Sequence, residues 1–187
     1  MKRKTILSVI SCLLLAGSTG AQTINPNISY YTTTRVIEGN GYTYQCDIDE
    51  ADRITLYNAN NKFVYVKWGN KDGSPMEAGV SNGSIETTEN DTWSRSKSKS
   101  IVDNAFSAEE KAWVKGQAII VIMIIDSETG KVIEVNFEFL KNTPYQQIPL
   151  AVFRKIELEL KREIWFKVTP AGKKLNYCMA FWLHEFN

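Results

Sequence analysis

The sequence predicts an α+β fold with a mostly antiparallel sheet, on three observations. Residues 28–68 are rich in Tyr, Thr and Val and are broken by short turns. Residues 118–139 read as an apolar run, a tight turn and a cleanly alternating strand. Residues 149–164 carry apolar residues at helical spacing, ahead of a last apolar strand. The expectation is an N-terminal β-meander followed by a C-terminal ββαβ unit.

The chain opens on a leader. Met1-Lys2-Arg3-Lys4 is a basic start, Thr5 to Leu15 an apolar stretch, and Ala16 to Ala21 a run of small residues for cleavage after Ala21. The apolar stretch is about eleven residues, against the roughly twenty that a bilayer crossing needs, so the expectation is export without a retained transmembrane segment. Val9-Ile10-Ser11-Cys12 also resembles a lipoprotein processing box, which leaves lipidation at Cys12 and an uncleaved anchor as the alternatives. Three of the 22 basic residues lie in the leader and all 21 acidic residues lie beyond it. The exported chain therefore carries a small net negative charge and no basic field for a nucleic acid.

In the meander, Ser29–Glu38 and Tyr42–Ile48 flank the turn Gly39-Asn40-Gly41, and Arg53–Tyr57 and Lys62–Trp68 flank Asn58 to Asn61. Phe63-Val64-Tyr65-Val66-Lys67-Trp68 has the strongest strand pattern of the four. Residues 69–100 are polar and interrupted by glycines. Within them the serine and basic run Ser94–Ser100 reads as a solvated loop or the exposed start of a helix. Ile101–Phe106 suits a single helical turn. Ser107-Ala108-Glu109-Glu110 is a capping box opening a short helix through Val114, with Gly116 at its C-terminal end.

Ala118–Ile125 has no period, as expected of an interior strand covered on both faces. Asp126 to Lys131 forms the hairpin turn. Ile133, Val135, Phe137 and Phe139 then face the core, and Glu134, Asn136 and Glu138 face water. Ile156, Leu158 and Leu160 alternate as in a strand, but Phe153, Ile156, Leu160 and Ile164 form a helical stripe, and the Glu157/Lys161 and Lys155/Glu159 pairs favour the helix. Pro149 suits the helix start. Glu157, Glu159 and Glu163 are placed on its exposed face. The organisation expected is a leader over 1–21, a β-rich region over 22–106 and the ββαβ unit over 107–187, the last two sharing one core.

The unit from Ala118 to Phe186, with its turn at Thr129-Gly130-Lys131-Val132 and a Gly172-Lys173 turn into the last strand, resembles the C-terminal domain of the TonB energy transducer. The resemblance implies an edge strand that pairs with a peptide. The chain lacks the transducer's proline-rich spacer, so energy transduction is not implied. IDSETGKVIEVNFEF, FRKIELELK and VTPAGKKLNY also resemble a family of exported, uncharacterised proteins of gut Gram-negative anaerobes, which implies no activity and no site residues.

No catalytic residue, metal ligand or cofactor motif stands out. The acids at 47–52 fail the calcium-loop pattern, with Ala51 at the third ligand position and Asp52 at the obligatory glycine, and read as a solvated turn. Cys46 and Cys178 are too few for a zinc site with one histidine, and whether they pair is open. His184, the only histidine, has the strand parity of Cys178, Ala180, Trp182 and Phe186, which suits packing better than catalysis. The candidate ligand-contacting residues are Tyr42, Tyr44, Trp68, Trp182 and His184. The functional expectation is a binding module of the cell envelope, taking a polypeptide at a sheet edge. The alternatives are glycan capture on the Tyr/Trp-rich strands and a periplasmic hydrolase with a carboxylate pair that no spacing reveals.

Overall fold

The computed structural model describes residues 24–39, 41–90 and 92–186. The expected leader and cleavage position, Cys12 and the turn residue Asn40 lie outside the described residues. Six strands, β1 (Arg35–Gly39), β2 (Tyr42–Ile48), β3 (Arg53–Asn58), β4 (Ala118–Ile125), β5 (Val132–Leu140) and β6 (Cys178–Glu185), form one sheet. Its order is β1-β2-β3-β5-β4-β6, and every neighbouring pair is antiparallel. The β3–β5 pairing joins the N-terminal and C-terminal halves in one sheet. The helices are α1 (Ala78–Ser81), α2 (Trp93–Ala105), α3 (Ala108–Val114) and α4 (Leu150–Glu163), so the fold is α+β. Among the described residues no helix is long and apolar enough to cross a membrane.

α4 lies on one face of the sheet. Val152, Phe153, Ile156 and Leu160 are buried at helical spacing, and the Phe153 ring packs 5.1 Å from Phe137 and 5.8 Å from Phe139. α2 packs beside α4. Its Ser94 and Ser98 are buried in line with Ile101 and Val102, one turn apart, while Arg95, Lys97 and Lys99 are exposed. The serine and basic run is therefore the front of a long helix, and the turn expected at Ile101–Phe106 is its end. α3 carries the expected capping box: Ser107 Oγ accepts from Glu110 N and Glu110 Oε2 accepts from Ser107 N. Gly116 takes the left-handed conformation, at φ 74°.

Four expectations are corrected. The first strand starts at Arg35 rather than Ser29, because Tyr30 N donates to Gln146 O and Tyr31 O accepts from the Gln146 side chain; those backbone groups are spent outside the sheet. Lys62–Trp68 is not a strand but a strap across the open face. Glu134 accepts from Lys62 N and Phe63 N at 2.6 and 3.0 Å, and Tyr177 donates its hydroxyl to Val66 O. A backbone tied to side chains in this way cannot enter a ladder, whatever its propensity.

The strap also explains the third correction. Glu134 and Asn136, expected to face water, are buried because Lys62, Phe63 and the Asn61 side chain bond to them or beside them. Fourth, β4 is interior to the sheet but covered fully on one face only. Ile119, Val121 and Met123 are buried and Ile120 and Ile122 half-buried, since among the described residues no helix or strand lies over that part of the open face. Cys46 and Cys178 are free thiols. Strands β3, β5 and β4 separate β2 from β6, a gap of roughly 19 Å at about 4.8 Å per strand, beyond disulfide reach.

Candidate functional site

Glu157 follows Ile156 on α4 and lies on the flank of the apolar stripe, where it is fully buried at 0% exposure. The expected exposed position is corrected: the α4 stripe is wide enough to take position 157 under the β2–β3 end of the sheet. Four side chains meet its carboxylate. The Tyr44 hydroxyl of β2 donates to Oε2. Asn58 Nδ2 at the end of β3 lies 3.3 Å from both oxygens. Arg154 Nη1, three residues earlier on the helix, donates to Oε2 at 2.7 Å. Lys161 Nζ, four residues later, lies 3.6 Å from Oε1. The Arg154 guanidinium also sits 5.5 Å from the Tyr42 ring, a cation–π contact.

Burial, reinforced by the neighbouring carboxylate, pushes the Tyr44 hydroxyl far above its usual range. Burial is the largest influence on the Arg154 charge and opposes it, but the hydrogen bond and charge of Glu157, with Tyr44 adding to them, together outweigh it and raise the pKa. A groove of about 460 Å³ opens beside this centre, lined in part by Asn60, Asn61, Phe63 and Glu134. Its two carboxylates, Glu157 and Glu134, both accept hydrogen bonds from the protein itself. The centre ties α4 to β2 and β3. Among the described residues no group of three His, Cys, Asp or Glu side chains converges to hold a metal. The acids at 47–52 point to separate partners: Asp47 to Tyr57 and Tyr65, Asp49 to Arg53 and Asp52 to Lys141.

Trp182 and His184 lie on the inner side of β6, opposite Val121 and Ile119. Both are buried. His184 Nε2 lies 3.2 Å from Asp103 Oδ1 of α2, without hydrogen-bond geometry. Burial lowers the His184 pKa below 6.5, against the pull of Asp103. Trp182 lines a cavity of about 200 Å³ with Met123, Phe166 and Ala180, rimmed by Glu86 and Arg95. Trp68 lies in the strap, where its Nε1 donates to Tyr177 O at 3.0 Å.

The five candidate residues thus fall in three places: Tyr42 and Tyr44 at the Glu157 centre, Trp68 in the strap, and Trp182 and His184 beneath β6. Sequence reasoning missed Glu157, although Arg154 and Lys161 at i−3 and i+4 mark it as a charge centre. It also missed Phe181 and Leu183. They point outward from β6 and are 65% and 57% exposed, beside the half-buried Ile120 and Ile122 of β4. Apolar residues at both parities of the last strand were the available signal.

A model of the DUF5043 family, described as a domain of unknown function, matches residues 27–182. Comparison with curated proteins gave no match. Among solved structures, the crystal structure of a DUF5043 family protein from Bacteroides uniformis ATCC 8492 is similar with a TM-score of 0.81 and 36% sequence identity, over 88% of this chain and 98% of that one. Matched over most of its length in both sequence and fold, the chain belongs to the DUF5043 family.

Proposed function

We propose that the chain is an exported interaction module of the cell envelope that pairs an extended polypeptide with the free edge of β6. One observation carries this reading: among the described residues β6 is paired with β4 alone, and Phe181 and Leu183 stand exposed along it. Natural sheets protect an edge with charges, prolines or bulges. β6 has no charge and no proline from Cys178 to Leu183, whereas the opposite edge, β1, carries Arg35 and Glu38. Strand addition supplies main-chain hydrogen bonds and takes alternate side chains to either face. The Trp182 cavity lies beside Ala180–Trp182, where an inward side chain of the guest would sit. Export rests on the basic and apolar leader of residues 1–21. Glycan capture has less support, because Tyr44 is buried and the Tyr42 ring packs on Arg154.

The test is selection of a displayed random-peptide library on the purified protein. Enriched peptides should alternate apolar residues and lose about tenfold in affinity for a Phe181→Lys variant that melts like the wild type. Equal binding to both proteins would sink the reading.

A further inference from the structure

We infer that the polypeptide paired at β6 is β6 of a second copy, so that two six-stranded sheets join edge to edge about a twofold axis. The inference rests on the edge-pairing reading above and names its partner. A twofold perpendicular to the sheet keeps the open faces on one side. It therefore allows only registers in which each residue meets one of its own parity. With the axis at Phe181, Phe181 meets its own copy and Met179 meets Leu183. With the axis at Trp182, Phe181 meets Leu183 and Trp182 meets Trp182.

Both registers place the exposed Phe181 and Leu183 against apolar residues of the second copy. Cross-strand pairs of this kind are the stabilising unit of a sheet. Charge fits as well. Glu185 is the one acid of β6, and it meets Tyr177 in the first register and Met179 in the second, so no acid faces an acid. Ile120 and Ile122 extend the apolar band from β4 in each copy, giving a continuous patch across the joint. β1 offers no such match. Val36 is exposed there, but Arg35 and Glu38 flank it, and edge charges of this kind discourage pairing. The β6 strand is thus self-complementary in its apolar pattern, and neither register brings like charges together.

Sedimentation across a concentration series reads the result directly. The wild type should approach twice its monomer mass. A Phe181→Lys/Leu183→Lys variant, which sets lysines opposite each other in either register, should remain a monomer with the circular dichroism spectrum of the wild type, and should melt independently of concentration while the wild type melts higher as its concentration rises. Oxidation of a Phe181→Cys protein should give a covalent dimer if the axis is at Phe181. A Phe181→Cys/Leu183→Cys protein should do so if it is at Trp182. A wild type that stays monomeric at every concentration overturns the inference, as does a lysine variant that still dimerises. If the monomeric wild type still selects peptides that the Phe181→Lys protein loses, only the second copy is wrong; if it selects none, the edge reading fails with it.

Discussion

The Tyr44 hydroxyl of β2 donates a hydrogen bond to the Glu157 carboxylate of α4, across 113 positions of sequence. With Asn58 and Arg154 on the same carboxylate, it fixes where α4 lands on the sheet. Removing Glu157 leaves the buried Tyr44 hydroxyl and Asn58 amide without their acceptor and Arg154 without its ion-pair partner. Glu157→Ala is therefore expected to cost about 3–5 kcal/mol. Tyr44→Phe, which keeps the ring, should cost about 1–3 kcal/mol. Urea unfolding of both variants checks the order. A Glu157→Ala protein as stable as the wild type would remove this role.

Stability should fall with acidity through His184. Its pKa is lowered in the fold by burial, with Lys99 and Lys111 adding to the effect and Asp103 opposing it. The unfolded chain therefore binds a proton that the folded one refuses. The contribution is fully present above 6.5 and declines as the pH drops below it. Asp47, Asp49 and Asp126, whose pKa values lie below 3.8, act only at lower pH. Thermal melts from pH 7 to about 5 should slope downward for the wild type and flatten for His184→Gln. Parallel curves would exclude His184 as the source.

Glu134 holds the strap. Its loss would free the amides of Lys62 and Phe63. Glu134→Ala is expected to cost about 1–3 kcal/mol and to speed amide exchange and proteolysis within residues 62–68, with β2 and β5 still protected. Unchanged exchange in the strap would show that Tyr65, Val66 and Trp68 hold it without Glu134.

Two glycines at almost the same φ separate backbone strain from crowding. Gly116 and Gly130 both have φ 74°. A Cβ at Gly116 meets open space, while one at Gly130 would lie 1.8 Å from Phe166 O. Gly116→Ala should cost about 1–2 kcal/mol. Gly130→Ala should cost more, because Phe166 N also donates to Gly130 O and the 165–169 segment has no room to withdraw without breaking that bond. Chemical denaturation of the two variants side by side measures the difference.

Much of this architecture can be read from local pattern. β2 and β4 have the bounds that their residues suggest, the alternating strand lies within β5, and α4 spans residues 150–163 as its apolar stripe implies. Ser107 and Glu110 cap α3 because a capping box closes within four residues. The candidate residues Tyr42, Tyr44, Trp68, Trp182 and His184 were legible as aromatic or titratable side chains in strand-like segments, but their surroundings were not. Trp68 sits in a strap although its segment has the strongest strand pattern of the meander. That segment's amides are taken by Glu134, 71 and 72 positions away.

Periodicity, capping and turn chemistry, all of them short-range, settle β2, β4, β5, the capped start of α3, α4 and the ββαβ order of the last third. Long-range pairing settles the rest. Whether Glu157 is a solvated helix charge or a buried anchor depends on which strands lie beneath α4, and the helix cannot carry that information. Whether β6 is an interior strand or a free edge depends on the sheet order β5-β4-β6. The residues of the last strand are apolar on both sides, a pattern compatible with either position. Only the topology leaves Phe181 and Leu183 at an unpaired edge, and the proposed partner follows from that exposure.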